Sequence, residues 1–126
     1  MSGNIKYDKW INDDNSENYK CRAWVNFDGT GTISIRAAGN VSSLTDGGVG
    51  VYTVNFTTSF PDTNYCVNGI SSNNNNATTT NRSLGIFDGT NTTGEANMLV
   101  DSVKLILQAS NATNLDQSVV CISVFR

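Results

Sequence analysis

Carboxylates are the side chains in this chain best suited to chemistry. Among 126 residues there is no histidine, which removes the commonest general base, the Ser–His and Cys–His nucleophile pairs and the imidazole metal ligand. Eleven Asp and Glu residues and three cysteines remain. Two carboxylates flanking a cleft can hydrolyse a glycosidic bond, and Asp with Asn can supply oxygen ligands to calcium. Their placement here favours neither. Asp8, Asp13, Asp14 and Glu17 stand near the N-terminus, and Asp28, Asp46, Asp62 and Asp88 lie beside Gly or Pro in turn-like stretches. Only Asp101 falls within an apolar run, and no D-x-[DN]-x-[DN]-G loop occurs.

One tetrapeptide, Phe-Asp-Gly-Thr, occurs twice, at residues 27–30 and 87–90. Each copy brings one carboxylate, so a calcium site would need loops distant in sequence to converge. A plainer reading is that each Phe ends a strand and points inward, while Asp-Gly supplies the turn, glycine allowing the positive φ of a tight connection. The repeat is therefore expected to be a turn used twice. No catalytic residue, metal ligand or cofactor is predicted. Cys21, Cys66 and Cys121 are far apart in sequence and sit in strand-like runs, so they are expected to be small buried hydrophobes kept reduced.

The elements around these residues read as strands. In KCRAWVNF, residues 20–27, a period of two puts Cys21, Ala23, Val25 and Phe27 on one face and Arg22, Trp24 and Asn26 on the other. Asp28-Gly29 then leads into TISIRA, a hairpin signal. Residues 40–45 and 51–57 form a second pair around Asp46–Gly50, with Tyr52, Val54 and Phe56 sharing a side. Pro61 and Asp62 mark a turn, and residues 65–70 resume a strand. Residues 71–83, SSNNNNATTTNRS, carry no apolar period, so at least their first half reads as a long polar loop, and residues 83–87 resume a strand. MLVDSVKLILQA, residues 98–109, fits either an amphipathic helix or a strand. Its β-branched residues and lack of a helix cap favour the strand. SVVCISVFR closes the pattern as a buried strand.

The sum is an all-β chain: an antiparallel β-sandwich, jelly-roll-like, of about eight or nine strands over residues 20–126. Residues 1–19 form a short N-terminal arm, polar but carrying Ile5, Tyr7, Trp10 and Ile11 as candidate attachment residues. The composition, 38% hydrophobic and only 15% charged, suits sheets faced with Thr, Ser and Asn. A net charge of −3 with scattered basic residues argues against nucleic acid, whose affinity comes largely from Lys and Arg on phosphates. Anionic membranes are disfavoured in the same way, and no apolar stretch is long enough to insert in one. No continuous apolar region opens the chain, so synthesis in a cytoplasm is expected.

The run NYKCRAWVNFDGTGTISIRAAGNVSSLTDGGVGVYTVNFTTSFPDTNYCV, residues 18–67, resembles the C-terminal module of tail-fibre and appendage proteins of marine and cyanobacterial phages. The ending VVCISVFR, residues 119–126, is similar to that module's last strand, while residues 69–116 match nothing in it. The resemblance implies a non-enzymatic virion structural protein, made in the host cytoplasm, exposed on the particle and homotrimeric. It would be either a tail-fibre tip for host adhesion or a small decoration protein held by its N-terminal arm. Its partners would be other virion proteins and a host surface glycan or protein. The polar loop offers Asn73, Asn74, Asn75, Asn76, Thr79 and Asn81 as receptor contacts. Arg22 and Trp24, opposite the buried face of their strand, are candidates for a subunit interface. The competing expectation is a carboxylate-dependent hydrolase acting on host surface glycan.

Overall fold

The structure is a computed structural model that describes residues 3, 11, 13–15, 20–72, 82–87 and 94–126. Asn73, Asn74, Asn75, Asn76, Thr79 and Asn81 of the polar loop lie outside the described residues, as do Ile5, Tyr7 and Trp10 of the arm and Asp88–Thr90 of the second tetrapeptide.

Eight strands are described: β1 (Cys21–Asp28), β2 (Ser34–Gly39), β3 (Val41–Asp46), β4 (Val51–Phe56), β5 (Cys66–Ser71), β6 (Arg82–Ile86), β7 (Ser102–Ala109) and β8 (Val120–Phe125). A 3₁₀ turn, Gly94–Asn97, precedes β7. Two antiparallel four-stranded sheets, β2-β1-β8-β5 and β3-β4-β7-β6, make the sandwich. Pairing of β1 with β8 encloses the pairing of β4 with β7, so the first and last strands meet at the centre of one sheet. Residues 102–109 settle as a strand. Val103, Leu105 and Leu107 are buried while Lys104, Ile106 and Gln108 are only partly so.

The core is the meeting of the two inner faces. Ala23, Val25 and Phe27 from β1 and Val120, Ile122 and Val124 from β8 face Tyr52, Val54 and Phe56 from β4 and Val103, Leu105 and Leu107 from β7. Phe27 and Tyr52 meet edge to face, centroids 5.1 Å apart, and Phe56, Phe60 and Tyr65 cluster under the opposite end. At Gly69 on β5, Leu84 of the other sheet occupies the space a Cβ would need, which locks the outer strands of the two layers together.

The expectation of buried cysteines is overturned. Cys21 and Cys66 are exposed and Cys121 is half-buried. The register shifts between Cys21 and Ala23 where β1 meets β8, so the extra residue takes Cys21 out of the inward row. Cys66 and Cys121 belong to the outward rows of their strands. Phe27 is fully buried as expected, whereas Phe87 is half-buried, with the Lys104 ammonium 4.5 Å from its ring centre.

Candidate functional site

Strand direction sorts the connections onto two ends. Phe27 pairs with Val120, and Val120 with Ser71, while Leu107 N–H donates to the Gly50 carbonyl at 2.7 Å. One end therefore carries the β1–β2 and β3–β4 turns, both roots of the polar loop (Ser72 and Arg82), and the segment from Ala109 to Val120. At the other end Cys21 and Cys66 both pair with Phe125, so the chain enters β1 there. Eight residues of β1 at about 3.3 Å each put roughly 26 Å between the two ends.

The phenylalanines of the two Phe-Asp-Gly-Thr copies fall toward opposite ends. Phe27 closes β1 at the loop end, and Phe87 follows β6 at the end where β1 begins. The first copy is a turn. Asp28 Oδ1 accepts from the Thr30 N–H at 2.9 Å and its hydroxyl at 2.6 Å, and Oδ2 meets Arg36 at 3.0 Å. These bonds hold the Asp28 carboxyl below its ordinary value, the Thr30 hydroxyl contributing most. Asp46 and Asp62 likewise accept from the N–H two residues on, Gly48 and Asn64, each at 2.8 Å. Each of these carboxylates is engaged in shaping its own turn.

Asp116, like Glu95, is an acid that the sequence pattern does not single out. It stands in a polar run, Asn111 to Ser118, with no turn signal of its own. Its Oδ1 accepts from Gly50 N–H at 2.7 Å and from the Tyr52 hydroxyl at 2.8 Å, with the Gly29 carbonyl 3.2 Å from that hydroxyl. Gly29 N–H in turn donates to the Gln117 carbonyl at 2.9 Å. One carboxylate thus ties three connections of the loop end to a tyrosine that is fully buried. Burial first, and the Asp116 carboxylate second, push the Tyr52 phenol well above its ordinary value. Gly50 fits because its φ is +69° and backbone atoms of Leu107 and Leu115 crowd the Cβ position.

The polar loop springs from this platform. Ser72 N–H donates to the Val119 carbonyl at 2.8 Å, and Val119 N–H returns a bond to the Ser72 hydroxyl at 3.2 Å. The hydroxyl lies 3.4 Å from Gln117 Oε1, on a residue that is itself buried. Its far root, Arg82, pairs with Ala109. At the opposite end Asn40, in the left-handed region at φ 54°, is a clamp. Its Nδ2 donates to the carbonyls of Arg22 and Thr58, both at 3.1 Å, and its Oδ1 accepts from Thr58 N–H at 2.7 Å.

Arg22 and Trp24 both stand exposed on β1, Trp24 at 44%. The indole N–H edge lies over Gly39 of β2, in the space a Cβ would take. A shallow depression of about 440 Å³ opens beside it, lined by Asn68, Gly69, Ile70, Cys121, Ile122 and Ser123. Ile11 is exposed. Among the described residues, no grouping of three or more Cys, Asp or Glu could hold a metal ion, and no helix is long and apolar enough to cross a membrane. Comparisons with protein-family models, curated proteins and solved structures return no match.

Proposed function

We propose that the chain is a non-enzymatic structural module of a phage virion, displayed on the particle with its loop end outward. The observation that carries this reading is the separation of the two ends. The residues leading into β1 and the roots of the polar loop stand on opposite ends of a rigid sandwich. A module attached through residues 1–19 therefore holds the roots of its Asn/Thr loop, Ser72 and Arg82, at the far side, about the length of a strand away. The resemblance of residues 18–67 and 119–126 to phage tail-fibre modules supplies the particle, and with it a homotrimer. The uncharged, hydroxyl- and amide-rich composition of the loop suits contact with a host surface glycan or protein.

The test separates attachment from contact. Particles are assembled with a chain lacking residues 1–19 and, separately, with one whose Asn73 to Asn76 tract is replaced by Gly-Ser. The first change is expected to abolish incorporation while the purified domain stays folded. The second should leave incorporation intact and reduce adsorption to host cells. Normal adsorption with the replaced tract would remove the adhesive role and leave decoration; normal incorporation without the arm would overturn the attachment reading.

A further inference from the structure

The two sheets differ on their outer faces. On β3-β4-β7-β6 the registers align Thr45, Thr53 and Lys104 in one row and Ser43, Asn55 and Ser102 in the next. The Asn55 amide donates to Ser43 and Thr45, both at 3.1 Å. On that face polar side chains hydrogen-bond one another. On β2-β1-β8-β5 the rows read Gly39, Trp24, Ser123, Asn68 and then Ala37, Asn26, Cys121, Ile70. Neither row carries a charge. Ile70 is 71% exposed, and Asn26 Oδ1 is buried with no hydrogen-bond partner among the described residues. Arg22 and the Asp28–Arg36 ion pair stand at the two ends of the face.

We infer that the outer face of the β2-β1-β8-β5 sheet is where copies of this chain meet one another. Charge supports a second copy as the occupant. Each chain carries −3, so copies repel unless they approach through a patch free of acids, and the two central rows are such a patch. Relief supports it too. The Trp24 ring stands over β1 and β2, whereas the depression of about 440 Å³ lies over β8 and β5, where the outward Ser123 and Cys121 are small. The indole of one copy is thus offered a depression on the face of the next. Four strands at about 4.8 Å and six residues at about 3.3 Å give a footprint of roughly 400 Å² per copy. That is half of the ~800 Å² a standard interface uses on each side, so this face alone supports association in the micromolar range or weaker. The inference rests on the self-association in the proposed reading and is independent of the virion role.

The experiment uses the purified full chain under reducing conditions. Sedimentation from about 1 µM to about 1 mM should show association, and the alkylation rates of Cys66 and Cys121 should fall together as it proceeds. Trp24→Thr should raise the dissociation constant about thirtyfold, as loss of a central aromatic anchor does. Ile70→Asp should do the same by placing an unpaired charge in the contact, and Ser83→Asp, on the other sheet, should change nothing. Circular dichroism confirms that each variant is folded. A monomer at all concentrations overturns the inference. So does association that survives both Trp24→Thr and Ile70→Asp, or alkylation that is equally slow when dilute, which would mean that the chain covers this face itself. Failure of adsorption to host cells would leave this result untouched.

Discussion

Removing the Tyr52 hydroxyl tests whether Asp116 organises the loop end. Tyr52→Phe keeps the ring that meets Phe27 edge to face at 5.1 Å and deletes only the donor that reaches Asp116 Oδ1 at 2.8 Å. A hydrogen bond to a charged group is worth about 1.5–3 kcal/mol. Tyr52 is fully buried while Asp116 is half-buried, so water can reach the carboxylate and the loss should fall toward the lower part of that range. For a domain of 126 residues this corresponds to a melting temperature lower by about 5–15 °C. Asp116→Ala should cost at least as much. The tyrosine can fall back on the Gly29 carbonyl at 3.2 Å, but the Gly50 N–H, now bonded at 2.7 Å, loses its acceptor. Asp116→Asn, which retains an oxygen at that position, should cost less. Denaturant unfolding of the two single variants and the double variant gives a coupling of about 1.5 kcal/mol or more if the pair acts as a unit. A coupling below about 0.5 kcal/mol would show that the carboxylate and phenol are neighbours without being partners.

Gly50→Ala should destabilise by about 3 kcal/mol or more, measured by chemical unfolding, because a positive φ and backbone crowding act together; the new Cβ would lie 2.7 Å from Leu115 N. The Tyr65 phenol, buried and near Asp101, is pushed up from 10.0 to about 12. Its folded value lies above the unfolded one, so its contribution is complete below the unfolded value and lost as pH rises through the folded one. Ultraviolet titration should show Tyr65 ionising only as the fold opens; ionisation near pH 10.0 in folded protein would refute this. Asp62 is held down to about 2, chiefly by the Arg126 guanidinium, so that ion pair's contribution is present above the ordinary carboxylate range and lost as pH falls through about 2. Arg126→Gln should return the Asp62 titration, followed by NMR, toward about 4. Asn40→Ala removes the three hydrogen bonds of the clamp and leaves a left-handed residue unsupported, at a cost of about 1–3 kcal/mol in the same unfolding assay.

Most of the sandwich is legible because one face of each central strand is buried, and a period of two then writes the core directly. Val25 and Phe27, Tyr52 and Val54, Val103 and Leu105 are all read correctly in this way. The first Asp-Gly turn is legible for a different reason, since its chemistry is local and Asp28 bonds only two residues ahead and to the facing strand. Asp116 is not, because its partners Gly50 and Tyr52 lie 66 and 64 residues away and nothing in a polar run marks which acid will be drawn inward.

The cysteines show where alternation itself fails. A period of two says which residues share a face and leaves open which face is inner. In β5 the inner row is Val67, Gly69 and Ser71, less apolar than the outer row of Cys66, Asn68 and Ile70, because Leu84 from the other sheet fills the space above Gly69. In β1 the bulge after Cys21 breaks the row that the spacing implies. These failures are not scattered. Cys66 and Cys121 both lie on the outer face of one sheet, beside the exposed Ile70 and Trp24, while the outer face of the other carries Thr and Ser rows. A sequence selected only to fold in water would gain by exchanging Ile70 and Trp24 for the residues found opposite. Local rules broken together on one surface are what the inferred contact between copies would account for.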